Sequence, residues 1–126
     1  MNLNPTTYSL QIWKYEILYL YICITTEKAC DPNNPVYIGC YLDDVNRDLK
    51  HEKANGNGYI DACNEACKEY DYFALQDNGE CRCGNSYGTA VQYVRKPDDE
   101  CGGAEGLGKS WRNSIFKTCY KGFNLL

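Results

Sequence analysis

Nine cysteines in a chain of 126 residues constrain its fold more than any other feature. Two of them, Cys81 and Cys83, are separated by one residue in "GECRCGNSYG". Residues two apart in a strand lie roughly 6–7 Å from each other, with the neighbour between them forcing a kink, so this pair cannot easily form one disulfide. Each sulfur must therefore reach a partner elsewhere. Cysteine usage at this level is typical of disulfide-stapled domains in an oxidising, extracellular setting.

A predicted helix supplies natural partners for this pair. The segment "NGNGYIDACNEACKEYDYFAL" predicts a turn, a helix and a strand, and Cys63 and Cys67 lie on one face of that helix. Asn-Gly in "DNGE", between "YFALQ" (72–76) and "CRC", is a strong hairpin signal. We therefore expect a helix stapled to a hairpin. The sequence leaves open whether Cys81 and Cys83 bond to different neighbours or both face the helix.

These patterns predict an α+β fold for residues 30–126: a small disulfide-rich domain with one helix packed on a short antiparallel sheet. "VYIGCY" (36–41) is the expected first strand. Composition changes near residues 30–35, where two prolines stiffen the connection. We therefore expect residues 1–29 to form a separate N-terminal arm that is extended and hydrophobic.

The arm contains the run "YSLQIWKYEILYLYICITT" (8–26). It is too short for a membrane span and includes Lys14 and Glu16, and it lacks the basic start and small-residue site of an export signal. Alternating apolar residues favour a strand, although the spacing also fits a helix. Such an arm must be buried. It either folds back on its own domain or pairs with the sheet edge of a neighbouring copy.

Three cysteines lie outside the central set. Cys30 and Cys119 flank the domain, and a disulfide between them would tie its ends together, adding on the order of 4–5 kcal/mol in the chain-entropy model. Cys23 in the arm is then the odd cysteine. It is either a buried free thiol or a partner in an interchain disulfide.

Several functional classes are disfavoured by composition. The net charge is -4 and no Lys/Arg cluster is present, so we expect no nucleic-acid partner. The single histidine, His51, and the absence of paired zinc-ligand spacing argue against a metal site. No nucleophile, base and orienting group can be assembled around that histidine, and the acidic run at 98–100 fits a solvated loop. We expect neither enzymatic activity nor a cofactor.

Three segments resemble the WSC domain, a cysteine-rich module of secreted and cell-surface proteins. They are "YIGCYLDDVNRDL", "CNEACKEYDYFALQDNGECRCGNSYG" and "WRNSIF", within residues 36–116. The resemblance implies a non-catalytic module that binds glycans or cell-wall polysaccharide. It also implies a secreted, extracellular or cell-surface location.

The chain departs from the family pattern in two places. Two of the usual eight cysteines are absent after Cys101, which leaves an even set of six for three disulfides. That set is Cys40, Cys63, Cys67, Cys81, Cys83 and Cys101. Tyr59 stands at the helix start, where the family often has Thr, so an N-cap hydrogen bond worth about 1 kcal/mol is expected to be missing.

Sugar binding needs an aromatic face and planar polar side chains. Trp111, Arg112 and Asn113 supply both in one tripeptide. The other candidates are Arg47, Tyr72, Gln76 and Tyr87, with Asp43, Asp44 and Tyr93 as further possibilities. The alternative interpretation is core packing for Trp111, and ion pairing of Arg47 with Asp44 or Asp48.

Two functions are therefore predicted from different classes. The first is an extracellular, lectin-like glycan-binding module. The second is a structural subunit whose arm (8–26) adds to the sheet of the next copy and builds a filament, with Cys23 as a lock.

Overall fold

The computed structural model of this chain describes residues 31–120. The arm (1–29), its cysteine Cys23, and Cys30 lie outside these residues, so the predicted strand and its two arrangements stay predictions. Across the described residues no helix has the length and apolar character needed to cross a bilayer.

Residues 31–120 form a six-stranded antiparallel sheet with one α-helix packed on it, which confirms the predicted α+β fold. The elements are β1 (Val36–Leu42), β2 (His51–Glu52), α1 (Ile60–Ala66), β3 (Tyr72–Gln76), β4 (Glu80–Gly84), β5 (Arg95–Lys96) and β6 (Arg112–Lys117). Two short 3-10 helices, Ala54–Gly56 and Asp98–Cys101, lie in the connections. The strands are ordered β2-β4-β3-β6-β1-β5.

The predicted hairpin joins β3 to β4. Asp77, Asn78 and Gly79 have left-handed backbones, with φ of 49°, 63° and 123°. Asp, Asn and Gly tolerate this conformation better than other residues, which is why this sequence turns here. The Gly79 N–H donates to the Gln76 carbonyl at 3.0 Å, and the Asp77 N–H donates to the carbonyl of Lys109. The segment before β6 therefore supports the hairpin tip.

Both hairpin cysteines bond to the helical segment. Cys81 pairs with Cys63 at a Cα–Cα distance of 5.5 Å, and Cys83 pairs with Cys67 at 5.4 Å. The geometry thus decides the alternative that the sequence left open, because both sulfurs of the C-x-C point toward the helix. Residues two apart on a strand share a face, and Cys63 and Cys67 are one helical turn apart.

A third disulfide joins Cys40 in β1 to Cys101 at the end of the second 3-10 helix. The predicted set of six cysteines forming three disulfides is confirmed. Cys119 is also disulfide-bonded. Its predicted partner, Cys30, lies outside the described residues.

The helix-side core lies between α1 and the sheet. Phe73 and Phe116 stack with ring centroids 4.8 Å apart, and Leu75 and the two disulfides of the hairpin complete this buried cluster. The side chain of Tyr59, at the N-cap of α1, makes no capping hydrogen bond, as predicted.

The opposite face of the sheet has its own smaller core. Ala74 and Ile115 point away from the helix because they alternate with Phe73 and Phe116 along their strands. Leu49, from the connection between β1 and β2, packs on both and is fully buried. We call this side of the sheet the loop face, because residues 43–50 cross it.

Candidate functional site

Residues 43–50 are held on the loop face by Leu49 and by a network around Asp43. Oδ1 of Asp43 accepts a hydrogen bond from the Asp48 N–H at 2.9 Å, which closes the loop. Gly84 lies beneath Leu49, and a Cβ atom at Gly84 would stand 3.3 Å from Leu49 Cγ. The absence of a side chain there lets the loop pack directly on the sheet.

Arg47 projects from this loop into a group of polar side chains. Its Nη1 lies 3.3 Å from Asp43 Oδ2, and its Nη2 lies 3.8 Å from Glu80 Oε1. The Gln76 amide satisfies both of its ends when its oxygen accepts from Arg47 at 2.6 Å. Its nitrogen then donates to Asp43 Oδ2 at 2.6 Å and to Asn113 Oδ1 at 2.8 Å. The guanidinium is therefore fixed in position by buried Asp43 and Gln76, and Gln76 is held in turn by Asn113.

Trp111 covers the other side of that guanidinium. The Arg47 Cζ lies 4.9 Å from the centroid of the indole, a cation–π contact. Trp111 sits in a tight turn in which Lys109 and Arg112 exchange backbone hydrogen bonds, and its carbonyl accepts from the Asp43 N–H at 3.0 Å. Both Arg47 and Trp111 have left-handed backbones, with φ of 57° and 56°. Such conformations cost free energy and concentrate at functional sites.

A cluster of three tyrosines occupies the other end of the loop face. Tyr87 contacts Tyr72 at 4.8 Å and Tyr41 at 5.3 Å between ring centroids, both edge to face. All three rings are half-buried. Tyr72 and Gln76 are four residues apart on β3, so the tyrosine cluster and the Arg47 group are separated by about 13 Å.

Two carboxylates tie residues 85–93 to the loop. The Gly88 N–H donates to Asp48 Oδ2 at 2.7 Å, and the Tyr93 hydroxyl donates to Asp44 Oδ1 at 3.0 Å. Burial raises the pKa of the Asp48 carboxyl, and burial followed by the Asp44 hydrogen bond raises the pKa of the Tyr93 phenol. The predicted pairing of Arg47 with Asp44 or Asp48 is wrong, because these carboxylates accept hydrogen bonds from the neighbouring loop.

The structure brings most of the predicted site residues onto one face. Arg47, Gln76, Asn113 and Trp111 converge at one end, and Tyr72 and Tyr87 lie at the other. Arg112 is separated from them. It points to the side of the sheet that carries the helix, where its Nε donates to Glu100 Oε1 at 2.9 Å.

The predicted residues differ in their access to solvent. The Trp111 side chain is 40% exposed, which disfavours the interpretation that it is only a core residue. Gln76 and Asn113 are buried and do not reach the surface: Gln76 holds Arg47 from below, and Asn113 holds Gln76. Asn113 Nδ2 is buried and finds no hydrogen-bond partner among residues 31–120.

Sequence reasoning missed Tyr41 and Leu49. Strict alternation along "VYIGCY" would place Tyr37 and Tyr41 on one face, but the register of β1 shifts between Tyr37 and Gly39. Tyr37 therefore packs with the helix-side core and Tyr41 with the loop face. Gly39 is the local signal that could have indicated this bulge, because an isolated glycine within a strand often marks one.

One group of potential metal ligands occurs in the part of the chain that the structure describes. The sulfurs of Cys63, Cys67 and Cys81 lie within 4.8 Å of one another. All three are in disulfides and supply no thiolate for a metal ion.

Comparison with known proteins identifies the family. The model of the WSC domain matches residues 37–107, which is more than half of the chain. A "WSC domain-containing protein" of Arthroderma benhamiae (strain ATCC MYA-4681 / CBS 112371) is 33% identical over 95 residues, or 69% of this chain. The match spans only 13% of that relative's length. The family match and the disulfide-stapled fold lead to one conclusion: this chain belongs to the WSC domain family.

Proposed function

We propose that this chain is a non-catalytic, extracellular glycan-binding module that binds sugar on its loop face. One observation carries the proposal. Tyr41, Tyr72 and Tyr87 are half-buried on the same face as Trp111 and Arg47, and their hydroxyls make no hydrogen bond to the described residues. Half-buried aromatic rings with unused polar groups suit a ligand that is apolar on its ring faces and polar at its rim.

The loop face offers the interactions that a pyranose needs. The indole of Trp111 and the tyrosine rings present surfaces for sugar C–H groups, while the phenols and the Arg47 guanidinium can bond to hydroxyls. Buried Gln76 and Asn113 act as positioning residues, because they fix the guanidinium before a ligand arrives. Preorganisation of this kind lowers the entropic cost of binding. The separation of about 13 Å between the two ends suits an oligosaccharide more than a single sugar.

Family membership and the covalent structure support the proposed location. WSC domains are regarded as modules of secreted and cell-surface proteins, and three disulfides with buried sulfurs fit an oxidising compartment. The proposed partners are therefore glycans or cell-wall polysaccharide outside the cell. The matched segment is only a small part of a much longer relative, as expected for a binding module that is attached to other segments.

The described residues do not favour the alternative of a filament built by strand donation. The sheet ends in β2 and β5, each two residues long, with His51 and Glu52 on one edge and Arg95 and Lys96 on the other. Short, charged edges are poor templates for adding a strand. The arm (8–26) and Cys23 lie outside the described residues, so self-association through them stays a prediction.

A glycan array followed by calorimetric titration of the best ligand tests the proposal. Tyr87→Ala and Trp111→Ala should each weaken binding by at least about fivefold, since buried aromatic contacts dominate such sites. Val91→Ala is the matched control, because Val91 is 91% exposed and lies in the same loop as Tyr87. If the folded Tyr87→Ala and Trp111→Ala variants bind as tightly as the control, the loop face is not the site.

A further inference from the structure

A groove of about 430 Å³ lies on the side of the sheet that carries the helix. Phe116 forms part of its floor and belongs to the helix-side core, whereas its neighbour Ile115 belongs to the loop face. The groove and the loop face are therefore on opposite sides of the sheet. Its volume falls within the range of about 300–1,000 Å³ that is usual for small-ligand sites.

The walls of the groove are held in place by the fold. Gly58, in one wall, donates its N–H to the Gly79 carbonyl at 2.8 Å, and a Cβ atom at Gly79 would stand 2.8 Å from Gly58 Cα. The Asn64 amide donates to the Pro32 carbonyl at 2.6 Å and anchors the segment that leads into Asn33 and Asn34. These contacts hold the two walls of the groove in place.

Two residues that line the groove, Tyr59 and Glu105, carry a local cost in stability. Tyr59 is 74% exposed at a helix N-cap, where a Ser, Thr, Asp or Asn would stabilise the helix by about 1 kcal/mol. Glu105 has a left-handed backbone with φ of 60°, and Leu107 is an exposed apolar side chain. Residues that lower local stability and lie close together are expected at functional sites.

The charge of the groove indicates the kind of ligand. Asp61 and Glu105 line it, and no lysine, arginine or histidine is among the described lining residues. Neither carboxylate forms an ion pair within residues 31–120. Exposed Asn33 and Asn34 add amide groups that can bond to hydroxyls. Two unpaired anions beside an exposed aromatic ring are complementary to a cation that carries apolar C–H surface.

We propose that this groove is a second carbohydrate site, selective for glycans that bear protonated amino groups. Tyr59 stacks on the sugar ring, and Asp61 and Glu105 accept hydrogen bonds from its ammonium group. This site is independent of the loop face, because the two lie on opposite sides of the sheet. If the proposed function also holds, the domain is bivalent and can link two polysaccharide chains.

Amide-detected NMR titration of the full chain with the glucosamine tetramer tests this site, with the N-acetylglucosamine tetramer as the neutral, matched ligand. We expect the glucosamine tetramer to shift the amide signals of Gly58, Tyr59 and Leu107, with at least about tenfold tighter binding than its acetylated form. The double variant Asp61→Asn, Glu105→Gln should abolish this preference. Asp99→Asn is the control, because Asp99 is exposed and does not line the groove.

The same spectra separate the possible outcomes. Shifts confined to Tyr87, Gly88 and the Trp111 indole would support the proposed function and overturn the groove inference. Equal affinity for the two tetramers, or no change in the double variant, would overturn the role of charge. Tri-lysine binding as tightly as the glucosamine tetramer, with Tyr59→Ala having no effect on either, would show a non-specific cation site and overturn the inference as well. Groove shifts without loop-face shifts would support the groove alone.

Discussion

Leu49 is expected to be the main apolar anchor of the loop face, and Leu49→Ala tests this directly. Its side chain is fully buried against Ala74 and Ile115. The substitution removes about three methylene-sized groups, each worth about 0.8 kcal/mol on burial. Because Gly84 and the sheet backbone below cannot move up to fill the space, a cavity term adds to this loss. We expect the free energy of unfolding to fall by about 3 kcal/mol.

Guanidinium denaturation under non-reducing conditions, followed by tryptophan fluorescence, measures this loss. The slope with denaturant should stay the same while the midpoint falls, because the surface exposed on unfolding changes little. Val45→Ala in the same loop is the control, since Val45 is 78% exposed and should change stability by no more than about 0.5 kcal/mol. A loss below about 1 kcal/mol in Leu49→Ala would refute the assignment of Leu49 as the anchor.

Three further predictions concern other parts of the fold. Gly56→Ala should sharply lower the yield of natively disulfide-bonded protein on oxidative refolding, because a Cβ atom at position 56 would stand 2.6 Å from Cys81 Sγ. A yield equal to that of the unsubstituted protein would contradict this packing. Asp48→Asn should change the pH dependence of stability by removing the contribution of Asp48. Because the pKa of Asp48 is raised in the folded state, the folded protein binds this proton at a higher pH than the unfolded chain does. Protonation of Asp48 therefore adds to stability as pH falls below the folded-state pKa, and the gain is complete below the ordinary pKa of 3.8. Equal slopes of unfolding free energy against pH in both proteins would refute this. Tyr59→Thr should raise the melting temperature by adding an N-cap hydrogen bond worth about 0.5–1 kcal/mol. An unchanged or lower melting temperature would show that contacts of the Tyr59 side chain stabilise the fold.

Much of the local structure follows from short stretches of sequence. Asp77, Asn78 and Gly79 are residues that accept left-handed backbones, so the hairpin between β3 and β4 follows from three adjacent residues. The C-x3-C spacing places Cys63 and Cys67 one helical turn apart, which made the helix-on-hairpin contact predictable. The missing N-cap at Tyr59 is likewise a property of a single residue.

The loop face required longer-range information. Trp111 and Arg47 are distant in sequence, and no pattern states that a guanidinium will lie 4.9 Å from that indole. Grouping Arg112 with Asn113 because they are adjacent overlooked the opposite directions of successive side chains on β6. Tyr41 was missed because one bulge in β1 reverses the alternation that sequence reasoning relies on.

The sequence by itself determined the class of the domain, the family, the helix, the main hairpin and the set of six cysteines. These depend on residues close together along the chain or on cysteine spacing. The tertiary structure alone decided which sulfur bonds to which, the order of the six strands, and which side chains share a face. Such features arise from contacts between distant segments, and many strand orders and disulfide pairings are compatible with the same local preferences until the two cores of the sheet are packed.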